Sequence, residues 1–342
     1  MLIGFAITRH CNLRCPHCIR DDVSRVRSLE PSLVASVTDQ ARELFGDVRV
    51  SLTGGEPLLH DDFSDIVESF RARDVPWRIT TNGWHLRRSL PVFEQYPPTT
   101  VRLSLSGGSR ATHDDERGHG SWRRVLESVA LCTSRRIPVW LSLVLDRRDR
   151  HEIRRAADLA EALGVNGIDF ILPQPVPGSA ARDSDLAPSE FAVVRDEVLA
   201  LAAEPARRTR VKLDYGYPFD GPERPCDTFR LRQIYVDPEG RLCSCCQLSE
   251  YGANETEVVA DLHTVSLAEA YARYEKHLAR QMLATTPGGA TGDPYMAFPC
   301  LRCAAIHGKL DWLQRFPASP WSGAADMELE TVLDDAVRAV PA

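Results

Sequence analysis

Long apolar runs are missing from this chain of 342 residues. No stretch approaches the ~20 residues that a membrane-crossing helix needs, and the longest, at residues 139–145, has the length of a strand. No basic segment precedes an apolar one at the N-terminus, so that end does not read as a secretion signal. Internal repeats are absent as well. Lysine is scarce: Lys212, Lys276 and Lys309 are the only three, and arginine supplies the remaining basic side chains. Acidic side chains outnumber basic ones by 48 to 41, giving a net charge of −7. That balance argues against a protein that coats nucleic acid, while leaving room for one nucleotide-sized ligand in a local basic pocket. Core material is not short, because 43% of the residues are hydrophobic, and this excludes wholesale disorder. The expectation is a cytoplasmic protein of about two domains, with neither membrane nor nucleic acid as a partner.

Cysteine is the residue in excess. There are ten, and in a large reduced protein spaced cysteines point to metal or catalysis more than to disulfides. Cys11, Cys15 and Cys18 lie at the start, Cys226, Cys243, Cys245 and Cys246 in the middle, and Cys300 and Cys303 near the end. Cys132 stands alone, inside a helical pattern, and reads as a buried apolar residue.

Short apolar runs at residues 2–7, 48–52, 77–81, 101–105, 139–145 and 167–172 predict strands. Helical patterns at 31–45, 62–73, 86–93, 121–135 and 149–163 alternate with them. Such alternation predicts a parallel sheet with crossover helices, although the second run (Val-Arg-Val-Ser-Leu) has the look of an edge strand. Six units suit a partial barrel better than a small open sheet. Residues 173–188, rich in Pro, Gly, Ser and Asp, read as a linker. Beyond them come a helix at 190–203, strands at 212–215, 233–236 and 241–244, and a helix at 267–283. Asp237-Pro238-Glu239-Gly240 is a turn signal, so the last two strands read as a hairpin. A polar Gly/Thr/Pro loop at 285–294, a lid candidate, and an amphipathic tail helix at 328–340 complete the pattern.

The first cysteines read Cys11-Asn-Leu-Arg-Cys15-Pro-His-Cys18, directly after the first strand. Their loop should therefore lie at the C-terminal mouth of the sheet, where barrel active sites sit. Three thiolates in one loop can hold three irons of a cubane and leave the fourth open to a small molecule. A zinc site is the competing reading, with His10 or His17 as fourth ligand. Further motifs follow in order: Thr53-Gly54-Gly55-Glu56-Pro57, Thr80-Thr81-Asn82-Gly83, Leu103-Ser104-Leu105-Ser106-Gly107, and Asp-Asp-Glu-Arg-Gly-His-Gly-Ser-Trp at 114–122. Small backbone at Gly54 and Gly55 permits close approach of the main chain, and the Glu56 carboxylate suits an ammonium group.

Over residues 1–178 this series resembles the radical S-adenosylmethionine (SAM) enzymes. The resemblance implies an α/β fold: a partial (β/α)6 TIM-type barrel. It implies a [4Fe–4S] cluster with an open iron on Cys11, Cys15 and Cys18. SAM is expected against Gly54, Gly55, Glu56, Asn82, Ser104 and Arg117, with Glu56 at its amino group and Arg117 at its carboxylate. Ser106 stands where the family usually has Asp. The implied chemistry is one-electron cleavage of SAM to a 5′-deoxyadenosyl radical, which takes a hydrogen atom from a substrate C–H. A reductant such as flavodoxin or ferredoxin is implied as partner.

Cys226 is followed by thirteen residues, Gly240, four more and Cys245, and later by Cys300-Leu-Arg-Cys303. This resembles the Twitch/SPASM-like C-terminal extension of the family, a small α+β unit of hairpin plus helix. The resemblance implies one auxiliary [4Fe–4S] cluster on Cys226, Cys245, Cys300 and Cys303. Cys243 or Cys246 is a competing ligand in place of Cys245, and strand alternation places Cys243 and Cys245 on one face. A thiol left over, Cys243 or Cys246, is a candidate hydrogen-atom donor, as is Cys132 where it is not simply a buried apolar residue. The division expected is a barrel at 1–178, linker and helix at 179–210, an auxiliary-cluster unit at 211–316 and a tail at 317–342.

Because the first strand begins at Leu2, no fused leader-binding domain is expected. That favours a small natural-product intermediate, such as a sugar, aminocyclitol or nucleoside, undergoing oxidation or epimerisation. Maturation of a ribosomal peptide by crosslinking or epimerisation is the alternative, with a short peptide as substrate. A non-catalytic Fe–S or zinc-stabilised interaction protein is the alternative of another class. Asp214, Tyr215, Tyr217, His307 and Lys309 are polar candidates for substrate contact.

Overall fold

The structure, a computed structural model, describes residues 1–20, 27–214, 226–249, 255–284, 295 and 298–326. Tyr215, Tyr217, the 285–294 loop and the 328–340 tail lie outside the described residues, as does the side chain of Asp214.

A β/α alternation runs through the first half of the chain. It comprises β1 (Leu2–Ala6), α1 (Pro31–Phe45), β2 (Arg49–Thr53), α2 (Phe63–Arg71), β3 (Trp77–Thr81), α3 (Leu86–Gln95), β4 (Thr100–Leu105), α4 (Arg110–Arg117), α5 (Ser121–Thr133), β5 (Val139–Val144), α6 (Ile153–Leu163) and β6 (Gly167–Ile171). Next come α7 (Pro177–Ala181), α8 (Pro188–Ala202), β7 (Arg210–Asp214), β8 (Gln233–Val236), β9 (Arg241–Cys243), β10 (Val258–Asp261), α9 (Leu267–Ala284) and α10 (Pro299–Ile306). The ten strands form one sheet in the order β10-β9-β8-β1-β2-β3-β4-β5-β6-β7. Strands β1 to β7 pair in parallel, and β8 pairs in parallel with β1. The β8-β9-β10 end is antiparallel. The sheet is not closed, so the expected α/β partial barrel is present as an open sheet. It joins strands from the 1–178 and 211–316 segments alike.

Alternation along each strand builds two different faces. In β4, Val101, Leu103 and Leu105 are fully buried, while Arg102 and Ser104 are not. The apolar set packs under the helices, whose buried residues recur at spacings of three and four, as with Phe63, Ile66, Val67 and Phe70 of α2. Phe63, Trp77 and Phe93 meet edge to face in that layer. Such crossover helices cover one face of a parallel sheet and leave the strand C-termini free to carry a site.

The structure corrects four local expectations. The second strand is internal, between β1 and β3, rather than an edge. Helix α4 was invisible to hydrophobic periodicity, because its sequence (Arg-Ala-Thr-His-Asp-Asp-Glu-Arg) has no large apolar residue. Ser109 caps it, accepting a hydrogen bond from Thr112 N at 3.2 Å. The 173–188 stretch is packed rather than a bare linker. It contains α7, its Asp185 accepts from Ser179 Oγ at 2.5 Å and Ser319 Oγ at 3.4 Å, and Leu186 O accepts from Trp321 Nε1 at 2.8 Å. Finally, β9 ends at Cys243 and the chain turns, so strand alternation does not carry through to Cys245.

Candidate active site

The loop after β1 and the C-terminal ends of β2 to β6 surround a cavity of about 250 Å³. Cys11, Cys15 and Cys18 line it together with Gly54, Gly55, Glu56, Asn82, Ser104 and Arg117. The nine residues that the sequence proposed for this end of the sheet thus come together. A larger cavity of about 490 Å³, around Trp140, Asn166 and Arg210, sits at the N-terminal ends of the strands and contains none of them.

Close backbone approach explains the two glycines. Gly54 has φ +139°, and a Cβ there would stand 2.4 Å from Thr8 O. A Cβ at Gly55 would stand 2.3 Å from His10 O, which the Glu56 N–H meets at 2.8 Å. The pair therefore lets β2's end lie directly against the cysteine loop. Gly178 does the same from the other side, where a Cβ would stand 2.2 Å from Pro16 O. This contact places α7 against the loop and was not legible from the sequence.

Glu56 is fully buried. Its Oε1 accepts from Thr81 Oγ1 at 2.6 Å and Leu58 N at 3.1 Å, and its Oε2 accepts from Asn82 N at 2.8 Å. Burial nevertheless raises its pKa above the usual carboxylate range, against the lowering by these bonds. Among the described residues no cation forms an ion pair with it. A buried carboxylate of this kind suits a cationic ligand. Asn82 is held in turn: its side chain donates to Asn12 Oδ1 at 3.0 Å and accepts from Trp84 N at 2.9 Å.

Arg117, the last residue of α4, is the complementary charge. It is 8% exposed, and its contacts are neutral. Nε donates to Ser106 Oγ at 2.9 Å, Nη2 to His17 Nε2 at 3.3 Å and to Leu105 O at 3.5 Å, and Nη1 to Cys15 Sγ at 3.8 Å. A guanidinium can only donate, so His17 Nε2 is the acceptor and Nδ1 carries the proton. That proton faces Glu116 Oε2 at 3.2 Å. Glu116 is itself paired with Arg148 and Arg182. Burial, then Arg117, Arg148 and Arg182, depress the His17 pKa to about 3. With both ring nitrogens engaged, His17 is not available as the zinc ligand that the sequence allowed. Its place between Glu116 and Arg117 was missed, because it depends on α4.

The three thiols of the loop are free. Burial raises Cys11 to about 11, and the charges of Glu56, Cys15 and Cys18 add to that. Burial also raises Cys15, while Arg117 opposes the shift. Thiols crowded into one cavity with a cation beside them fit a site that replaces their protons with metal. A single zinc ion would need its ligands at ~2.3 Å around one point. Among the described residues no three His, Cys, Asp or Glu are grouped so as to hold a single metal ion. The donor set, with a carboxylate and a guanidinium across the cavity, fits an iron–sulfur cluster beside the zwitterionic head of an amino acid.

The later cysteines divide. Burial pushes the Cys300 thiol well up, and Cys303, Cys245 and Cys226 push it further, so all three lie within electrostatic reach of Cys300. Cys226 is raised by burial and then by Cys245. Cys243 is placed elsewhere. It is fully buried in a small cluster with Ala6 and Tyr235, against which Cys246 and Val258 pack, and its Sγ lies 3.7 Å from Asp237 Oδ2. Cys246 lies between the two: it packs on the Cys243 cluster, and its thiol hydrogen-bonds with Cys245, so Cys243 and Cys245 do not share the expected face. Cys246 precedes Gln247, which lines the first cavity and accepts through its carbonyl from Gln174 Nε2 at 2.9 Å. Cys132 is buried in α5. His307 and Lys309 are buried beside Thr256 and Glu257 rather than at the cavity.

Residues 5–160 match the family described as the Radical SAM superfamily. A probable GTP 3′,8-cyclase of Metallosphaera sedula is 28% identical over 176 residues, covering 50% of this chain and 55% of the relative. An AdoMet-dependent heme synthase of Methanosarcina barkeri is 27% identical over 201 residues, covering 56% of this chain and 55% of the relative. The chain spans about half the length of these curated relatives. Streptococcus suis SuiB, solved bound to precursor peptide SuiA, shares the fold with a TM-score of 0.68 at 12% identity, covering 88% of this chain and 70% of that one.

Proposed function

The chain belongs to the radical SAM superfamily through residues 5–160, and from that premise we propose that it cleaves SAM reductively and abstracts hydrogen from a small polar substrate. The observation that carries the reading is the single cavity gathering three thiols, a buried carboxylate and a buried guanidinium. Cys11, Cys15 and Cys18 would hold the cluster, Glu56 the ammonium of SAM and Arg117 its carboxylate. When bound and reduced, cluster and SAM together supply a 5′-deoxyadenosyl radical. The protein's part is to fix the amino-acid head between two opposite charges and to keep the cavity walls unreactive.

The wall beneath the cavity supports this substrate class. Thr53, Thr80, Ser104, Val144 and Ile171 line the cavity. One step down the same faces stand Ser51, Arg78, Arg102, Ser142 and Asp169. Arg102 Nη2 and Asp169 Oδ2 are 2.7 Å apart. A closed barrel fills such a layer with branched apolar side chains; a polar layer suits a hydroxylated ligand such as a sugar, aminocyclitol or nucleoside. The nucleotide named for the curated cyclases is of that kind. A peptide substrate, as in SuiB, is the second reading, favoured only by the shared fold.

Cys226, Cys245, Cys300 and Cys303 would hold an auxiliary cluster, which would supply an acceptor for the electron released when a substrate radical is oxidised. Cys246, beside cavity-lining Gln247, is the thiol assigned to hydrogen return in an epimerisation. Cys243, enclosed and turned to Asp237, is placed less well for it. Anaerobically reconstituted protein given dithionite and SAM should form 5′-deoxyadenosine, and the Cys11/Cys15/Cys18→Ala variant should not. No 5′-deoxyadenosine from the wild type would overturn the reading.

A further inference from the structure

We propose that the rim formed by the N-terminal turns of α3 and α5 is the docking face for an acidic one-electron carrier protein. The inference rests on the SAM-cleaving function above, which needs an external electron. Arg87 and Arg88 lie in the first turn of α3, and Arg124 in the first turn of α5. One carboxylate serves two of them. Glu127 pairs with Arg87 at 2.5 Å and with Arg124 at 3.2 Å, and the Arg87 side chain is 67% exposed. Arg88 is exposed and donates to a neutral acceptor, Leu58 O, at 3.1 Å. Arg124 also lies over the Trp84 ring, 5.7 Å from its centroid. The group is compact enough that Arg88 and Arg124 both act, after burial, to lower the His85 pKa.

The chain as a whole carries a net charge of −7, which disfavours an acidic partner. A local excess of guanidinium on that background selects where such a partner lands and how fast. The rim also has a short connection to the first cysteine set. Trp84 N donates to Asn82 Oδ1 at 2.9 Å, Asn82 Nδ2 donates to Asn12 Oδ1 at 3.0 Å, and Asn12 is bonded to Cys11. Asn12 and Arg14 of the cysteine loop are exposed, so the loop itself is open to the same partner. The occupant's chemistry is an acidic surface around an exposed flavin or iron–sulfur centre.

The test compares two electron sources on reconstituted holoenzyme, reading 5′-deoxyadenosine formation. With reduced flavodoxin at low salt, Arg87→Gln/Arg124→Gln should lower the apparent second-order rate about tenfold, and Glu127→Gln should raise it. Added salt should slow the wild type more than the double variant. With dithionite, both variants should match the wild type, which also shows that they fold. Equal losses in both arms would overturn the proposal by assigning the rim to the site's own structure. An unchanged flavodoxin arm would overturn it by placing the carrier elsewhere, and loss of a labelled oligoglutamate peptide in that case would assign the rim to an acidic peptide. Wild type inactive with dithionite would remove the function and the docking face together.

Discussion

Replacing Glu56 by Gln separates the charge of the buried carboxylate from its shape. The wild-type side chain receives three donors: Thr81 Oγ1 and Leu58 N on one oxygen, Asn82 N on the other. A glutamine can keep its carbonyl toward the first pair, and its NH2 then faces the Asn82 N–H. That lost bond costs about 1–3 kcal/mol. Removing a buried charge offsets a cost of similar size, since burial already raises the Glu56 pKa. The two effects oppose, so the thermal midpoint without SAM should move little. Binding has no such offset. A hydrogen bond from an ammonium to a carboxylate is worth about 1.5–3 kcal/mol, and 1.4 kcal/mol is tenfold. The Kd for SAM should weaken by roughly 10–150-fold. Isothermal titration of reconstituted Glu56→Gln with SAM reads this directly. An affinity within twofold of wild type would refute the reasoning, because Glu56 would then be a structural acceptor only.

Asp185 gives a pH test. Burial raises its pKa to about 6 from 3.8, and the Ser179 and Ser319 bonds only partly oppose this. A carboxyl with a raised folded pKa favours folding while protonated, so its contribution is lost as pH rises from about 4 through about 6. Asp185→Asn should therefore gain on the wild type by up to about 3 kcal/mol between those pH values, in thermal unfolding without cofactors. A constant difference across that range would contradict the assignment. Lys309 Nζ and Glu257 Oε2 form a buried pair at 2.9 Å. Lys309→Met should cost about 3–5 kcal/mol in denaturant unfolding, and the double variant with Glu257→Leu should recover most of it; equal costs would show that the pair itself stabilises. Among the middle cysteines, Cys245→Ala should lower iron content after reconstitution, while Cys243→Ala and Cys246→Ala should not, and the opposite pattern would reassign the ligand.

Much of this was legible because local sequence and chemistry agreed. The limits of α1 and β3 follow from periodicity alone, with Pro31 opening the helix and alternating apolar residues filling the strand. Motifs at strand ends predicted the cavity, since each strand delivers its next residues to one mouth. What stayed hidden depends on contacts distant in sequence. Helix α4 presents no apolar stripe, so His17, Glu116 and Arg117 showed no sign of meeting. The contact of Gly178 with Pro16 joins segments that have no common pattern. Cys243, Cys245 and Cys246 were read through strand alternation, which fails because the chain turns after Cys243. There only the turn decides which thiol faces Cys226, Cys300 and Cys303.

The division of the cysteines into two independent cluster sites is tested most directly by counting iron and sulfide in anaerobically reconstituted Cys11/Cys15/Cys18→Ala protein. The account predicts that ~4 iron and ~4 sulfide per chain remain, one cubane held by Cys226, Cys245, Cys300 and Cys303. Almost no iron in that variant would contradict it, leaving a one-cluster enzyme without an internal electron acceptor.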